Sequence, residues 1–496
     1  MAAQKPNILC IITDHQAYFG HHRVGEFEYR HPRFERFASE GVRFSRAYSV
    51  SAVCTPTRSS IMTGQYAGAH GLTINTEYGG ATDFRQGQQL YSHHLSRAGY
   101  RNGYIGKWHC GHQRLPVDYG MEGWSLPDYG KVYQSDAYKD YCKRNGLDSP
   151  RARIDHNRQH PEWSGRTLDL DQPTPFNYFM RGCGVLEGPP ESHEEQFVAR
   201  LVIEKLREFA DCGQPWSLIA SFWGPHHPYF PSEPYASIVA PESIPEYPTY
   251  RDNLESKPLR YLLHRDRTFE NPNVWPDWSI WQTVLARAYG QGYQTDAAVG
   301  EILDEMEDLG LAENTMVIWC SDHGDTIASH GGVWDKAATY SEEVGRIPMA
   351  VRWPGRTAPE KVSDRLVSNM DITAAMLEAA GVEAPPSMHS RSILPICIDP
   401  DGAAWPDHLI CEHYGHTADR IIQRIIIQDR YKYVAALYDG DELYDLEADP
   451  FETKNLIDSE AHKTVQVELR KRIVDHIERT GDVQAAKIAY ALEQGR

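Results

Sequence analysis

The chain alternates two patterns of hydrophobic and polar positions. Ile8-Leu9-Cys10-Ile11-Ile12-Thr13 is a continuous apolar run that stops at Asp14-His15-Gln16, as expected of a strand buried on both faces of a parallel sheet. Similar runs recur at 103–106, 217–222, 315–320 and 348–352. Between them the apolar residues recur with helical periodicity, clearest over 194–210 and 296–311. The first three of these later runs lead into Lys107 and His109, His226 and His227, and Asp322 and His323. Polar residues just past such strands lie where open α/β sheets bind ligands. The pattern predicts an α/β fold: a large mixed, mostly parallel sheet sandwiched by helices, with its chemistry along one edge.

Two stretches, 115–193 and 242–280, break the rhythm and are rich in Tyr, Trp, Pro and charge. Long irregular segments of this kind are expected to be functional loops or insertions. Tyr119, Trp124, Tyr129, Tyr133, Trp275, Trp278 and Trp281 would line a substrate rim or pack the loops onto the body. After Gly381 the pattern changes again. Short alternating runs at 420–428, 432–437 and 442–446 read as antiparallel strands, followed by a helix from about His462. The reading is a catalytic domain over 1–384 and a smaller α+β subdomain over 385–496.

The stretch from Ser51 to Gly64 reads as an extended segment running into a short helix, with Pro56 at its start and Gly64 as its stop. Cys54 would then stand at the positive end of that helix, where an anion is favoured. Arg58, four residues on, would lie one turn above it on the same face. Asp14, Asp322 and His323 end strands separated by about 300 residues. Carboxylates gathered at one spot repel unless a cation is present, so a divalent metal is the economical reading.

Composition narrows the partners. The 496 residues are 41% hydrophobic, enough for a large core, with 12 Trp and 28 Tyr. Fifty Lys and Arg against 69 Asp and Glu give a net charge of −19, which argues against nucleic acid or an anionic membrane as partner. Any anionic substrate needs a locally positive pocket. The nine cysteines are odd in number and show no paired spacing, a reduced pattern. With no signal-peptide pattern and no long apolar run, the expected location is the cytoplasm.

Cys54-x-Pro56-x-Arg58 followed by Ser59-x-x-x-Thr63-Gly64 resembles the signature of the type I sulfatases, within the alkaline-phosphatase-like superfamily. The resemblance implies that superfamily's fold. It also implies that a formylglycine-generating enzyme oxidises Cys54 to Cα-formylglycine, whose hydrate is the nucleophile. Gly106-Lys107-Trp108-His109, Pro225-His226-His227-Pro228, Ser321-Asp322-His323-Gly324 and Trp334-Asp335-Lys336 match further family segments. By that resemblance Asp14, Asp322 and His323 bind the metal with residue 54, and Arg58 stabilises the nucleophile. Lys107, Lys336, His226 and Asn75 contact the substrate, and His109 takes a proton as sulfate departs. Phrases from Asp429 to Leu456 resemble the family's C-terminal subdomain, and relatives of this type are often dimers or larger.

One position departs from the pattern. The residue after the first Asp is commonly a second Asp, or Gln, and here it is His15. Imidazole is a poor ligand for Ca²⁺, the family's usual ion, and a good one for Mn²⁺, Zn²⁺ or Fe²⁺. Either His15 binds a softer metal, or it turns away and Gln16 or water fills the place. The expected activity is hydrolysis of a sulfate monoester, with the alcohol (sugar, aryl or alkyl) left open. A phosphonate monoester or phosphodiester hydrolase of the same superfamily is the closest alternative, although Lys107 is generally lacking in that branch. A non-catalytic binder of sulfated ligands is the distant one.

Overall fold

The computed structural model describes residues 5–18, 27, 29–172, 181–268, 277–336, 338–417 and 419–495. Its centre is an eight-stranded sheet. The strands are β1 (Asn7–Thr13), β2 (Val42–Phe44), β3 (Arg101–Lys107), β4 (Glu122–Leu126), β5 (Trp216–Ser221), β6 (Thr315–Ser321), β7 (Met349–Arg352) and β8 (Lys361–Ser363). Their spatial order is β8-β2-β7-β6-β1-β5-β3-β4. Only β7 runs against its neighbours, so the sheet is mixed and mostly parallel, as the apolar runs predict.

Successive side chains of β1 take opposite faces, as the period of a strand requires. Ile8, Cys10 and Ile12 pack with Ile61, Met62, Ile372 and Met376, from helix α1 (Cys54–Thr63) and the helix Asp371–Ala379. Leu9 and Ile11 pack with Phe197, Val202, Leu206, Val299 and Ile302, from α2 (Glu194–Ala210) and α3 (Trp278–Asp308). Both faces are therefore apolar, which is why β1 reads as an unbroken hydrophobic run.

The two irregular stretches are more ordered than their sequence implies. Residues 115–193 contribute the edge strand β4, a helix at Asp136–Asn145, and a separate sheet of Arg151–Asn157, Thr167–Asp169 and Gly182–Glu187. The stretch 242–280 holds a helix at Leu259–Thr268 and the start of α3, which begins well before the expected residue 296. Gly290 and Gly292 mask the helical signal there. A Cβ on Gly290 would lie 2.5 Å from Tyr235 O, and one on Gly292 would lie 1.7 Å from Tyr29 Oη, so close packing requires both.

The C-terminal sheet pairs β9 (His408–His416), β10 (Asp419–Gln428), β11 (Tyr431–Leu437) and β12 (Glu442–Asp445) in antiparallel order. Strand β9 has no clear alternation and escapes the sequence reading. Helix α4 (Lys463–Thr480) covers the sheet through Leu469, Ile473 and Ile477. Among the described residues, no helix is long and apolar enough to cross a membrane.

Candidate active site

The register of the sheet places the chemistry. Thr13 lies beside Ser321, Ile12 beside Ser221, and Gly106 beside Ser221. Asp14 and Asp322 thus leave neighbouring strands at the carboxyl edge of the sheet, and Lys107 ends the strand one further on, beyond β5. Helix α1 starts at Cys54 and stops at Gly64, whose φ of 66° is the left-handed stop expected there. Pro56 falls in its first turn, where no backbone N–H is needed. The whole helix is buried, with Cys54 and Arg58 directed at the sheet edge.

Cys54 Sγ stands 3.1 Å from His323 Nε2, 3.8 Å from Lys107 Nζ and 3.8 Å from Asp14 Oδ1. Arg58 Nε donates to Asp322 Oδ2 at 2.8 Å, and its Nη1 donates to Ser221 Oγ at 2.6 Å and Lys107 O at 3.2 Å. Its Nη2 is buried without a hydrogen-bond partner, 3.8 Å from Asp14 Oδ1. That leaves one charged donor available to an anion at position 54. Lys107 Nζ donates to Asp14 and lies 4.2 Å over the ring of Tyr129.

His323 and His15 present their nitrogens in defined ways. His323 Nδ1–H donates to Gly324 O at 2.8 Å, which leaves the Nε2 lone pair facing Cys54. His15 Nδ1–H donates to Asp325 Oδ2 at 3.1 Å, while its Nε2 accepts from Lys336 Nζ. Both rings are held below the usual imidazole range, chiefly by burial; for His15 the Lys336 ammonium adds to this. Lys336 is also bound to Asp335 Oδ1 at 2.9 Å. His15 and His109 sit at φ of 61° and 51°, a left-handed backbone that non-glycine residues adopt at a cost and that clusters at functional sites.

Burial and the neighbouring Asp322 push the Asp14 carboxyl above the ordinary aspartate range, against the pull of Lys107 and Arg58. For Asp322, burial is outweighed by His323 and Arg58, and its carboxyl stays well below that range. Candidate ligand atoms of Asp14, His15, Cys54 and His323 all lie within 4.8 Å of one another. Asp322 adjoins them, its Oδ1 accepting from the His15 and His323 amides at 3.2 and 2.7 Å. Carboxylates, two imidazoles with committed Nδ1–H groups and residue 54 form a donor set that fits a divalent cation. Gln16 is turned away, its amide engaged by Thr13 and His31.

The remaining expected residues surround this group. His109 Nε2 bonds Glu77 at 3.0 Å, and its Nδ1 is buried without a hydrogen-bond partner. His226 stacks on His15 with ring centroids 3.8 Å apart, and its Nδ1 faces His227 O and Tyr129 Oη. Asn75 Oδ1 caps the Thr55 amide at 3.0 Å, so in this geometry it supports α1. Of the rim aromatics, Tyr129 joins the site. Trp281 and Tyr119 are core residues, Trp124 packs on Phe197 and Trp223, and Trp278 packs on Tyr250. Tyr133 lines a cleft beside Tyr129, and Trp275 lies outside the described residues.

Sequence reasoning missed four contributors. Ser221 holds Arg58, and Glu77 holds His109. Asp325 holds His15, and its place two residues after His323 is the one signal that pointed to it. Asn369 ties α1 to β6. Its Oδ1 accepts from Val50 N and Thr57 Oγ1, and its Nδ2 donates to Ser321 O and Asp322 O.

Comparison with known proteins gives the family and the fold. Residues 6–382 match the Sulfatase family model, and residues 329–479 match the model of the N-sulphoglucosamine sulphohydrolase C-terminal region. The chain is 28% identical to a choline-sulfatase of Rhizobium meliloti, over 92% of this chain and 84% of the relative. It is 26% identical to an arylsulfatase of Clostridium perfringens, over 96% and 95%. Among solved structures, the phosphonate monoester hydrolase of Silicibacter pomeroyi superposes with a TM-score of 0.78 at 20% identity, over 97% of each chain. That likeness is one of fold.

Proposed function

Because the chain belongs to the sulfatase family, a family of hydrolases acting on sulfate esters, we propose that residue 54, oxidised from cysteine to Cα-formylglycine, is the nucleophile with which it cleaves a sulfate monoester. The observation that carries this reading is the position of the Cys54 side chain. It is buried at a helix start among an arginine, a lysine, two aspartates and a histidine.

A hydrated aldehyde at this position bears two hydroxyls, one to attack sulfur and one to provide an internal exit for sulfate. Arg58 Nη2 stabilises the attacking oxygen. Lys107 and Lys336 supply the positive field that a sulfate monoester requires in a chain of net charge −19. His226, beside His15 and Tyr129, faces the departing alcohol. His109 Nδ1 is the acceptor for the proton of the second hydroxyl. Asp14, Asp322 and His323, with residue 54, would hold a divalent ion whose Lewis acidity favours ionisation of a hydroxyl there. His15 adds a second imidazole to that set, which favours Mn²⁺, Zn²⁺ or Fe²⁺ over Ca²⁺. Lys336 competes for the same Nε2 lone pair and keeps Asp335 as its other partner.

Lys107 favours sulfate over phosphonate esters as the preferred substrate. The tryptic peptide 47–58 tests the nucleophile. In protein made in a host with a cysteine-oxidising activity, its mass should reflect exchange of CH₂SH for CHO at position 54, and Cys54→Ala should abolish turnover. An unmodified peptide from fully active enzyme, or wild-type turnover by Cys54→Ala, defeats the mechanism.

A further inference from the structure

Away from the reaction centre, a cleft opens where the α/β body meets the C-terminal sheet and α4. Tyr66, Asp371, His389, Arg391, His476 and Arg479 are among the residues that line it. Apart from Asp371, the side chains of the lining that can carry charge near neutral pH are two arginines and three histidines. Arg479 Nη2 donates to His476 Nδ1 at 3.2 Å. Arginine has no acceptor, so the His476 proton must sit on Nε2. That Nε2 is buried without a hydrogen-bond partner, on a residue only 3% exposed. By the same logic the Tyr66 amide donates to His389 Nδ1 at 3.3 Å, and the His389 proton is on Nε2.

Asp371, the one acid in the lining, is already engaged by three donors. It accepts from Ser368 N at 2.9 Å, Ser368 Oγ at 3.1 Å and Arg391 N at 2.9 Å. Both guanidinium groups are at the exposed mouth, and among the described residues neither pairs with a carboxylate. Two guanidinium groups outside any ion pair among the described residues, with two histidines protonated on Nε2, are unexpected around one cleft in a chain of net charge −19. Burial and the positive charge of Arg479, Arg424, His389 and His408 hold His476 down to about 3. An anion in the cleft would relieve that field.

We propose that this cleft is a second oxyanion site, which takes a tetrahedral sulfate or phosphate group, either free or carried by a monoester. The site is connected to the reaction centre through the chain. Ser368 and Asp371 flank Asn369, whose amide holds Asp322 O at 2.7 Å.

Isothermal titration at constant ionic strength tests this, with sodium sulfate, sodium phosphate and a sugar monosulfate as separate titrants. The wild-type enzyme should bind two equivalents of oxyanion. In the Arg391→Ala/Arg479→Ala double variant, one event should weaken at least tenfold, while kcat/KM at low sulfate stays unchanged, because the hydrogen bonds of both arginines go to Asp371 and His476 and none to the groups around residue 54. Tighter binding of the free ion or of the ester would identify the source. Identical isotherms for wild type and double variant overturn the proposal. So does a single wild-type event that Lys107→Ala abolishes. Neither result bears on whether residue 54 hydrolyses sulfate esters.

Discussion

Glu77 is the residue whose role was least visible and is now most open to test. Burial would raise its carboxyl, but His109 outweighs this and holds it down to about 2. The carboxylate also accepts the Tyr129 amide at 2.8 Å, so it positions both His109 and the ring beneath Lys107. With the His109 proton on Nε2 toward Glu77, Nδ1 is free to accept. Glu77→Gln places an amide N–H donor opposite Nε2 and drives the proton to Nδ1, the wrong tautomer. The expected result is a fall in kcat of roughly 10²–10⁴-fold with little change in KM, and partial rescue by Glu77→Asp. Equal losses in Glu77→Gln and Glu77→Asp would mean the role is only structural. Lys107, His109, Asp322 and His323 were legible because each follows an apolar run. Glu77 was not, because a lone Glu in a polar loop has no pattern, and only the fold brings it to His109.

At the scale of elements, the strand ends were legible and their fastenings were not. The β1, β5 and β6 runs announce themselves because both of their faces are buried, and α1 is marked by Pro56 and Gly64. Asn369 follows a two-residue strand, Val367–Ser368, too short for any periodicity. Yet it fixes the start of α1 to the end of β6 through four hydrogen bonds. Asn369→Ala leaves the buried Val50 amide and the Asp322 carbonyl without that partner. Each orphaned group costs about 1–3 kcal/mol, so denaturant unfolding should show a loss of about 2–5 kcal/mol. A loss below about 1 kcal/mol would mean that α1 is positioned by packing alone. The ordered insertion in 115–193 was missed for a related reason. Its small sheet packs against Phe230 through Ala152, Ile154 and Leu186, and the alternation it carries, at 151–154, is too short to stand out in a stretch rich in Tyr, Trp and Pro.

Taken as a whole, the molecule buries an unusual number of imidazoles, and this sets its response to acid. His70, His193, His413 and His476 are each lowered from 6.5 to about 3, with burial the main cause. Between those values the unfolded chain binds more protons than the folded one, so stability falls as pH drops through that window. Each residue contributes up to about 1.4 kcal/mol per pH unit. The melting temperature should therefore be nearly level from pH 8 to 7 and fall steeply below about 6.5. A level profile down to pH 5 would show that these rings are not buried neutral. The α/β fold and its mostly parallel sheet could be read from the chain because they follow from the hydrophobic pattern, and the candidate site at the sheet's carboxyl edge from the polar residues that end the runs and from the family resemblance. The arginine- and histidine-lined cleft could not, since its residues come from segments far apart in the chain that only the packing of α4 and the C-terminal sheet brings together. In the proposed reading, the centre around residue 54, with Lys107 and Lys336, is built for sulfate monoesters. Steady-state kcat/KM on an aryl sulfate and on an aryl phosphonate monoester with the same phenol leaving group, with identical enzyme and metals, tests it most directly. A clear preference for the sulfate is the predicted result, and a preference for the phosphonate would contradict the account.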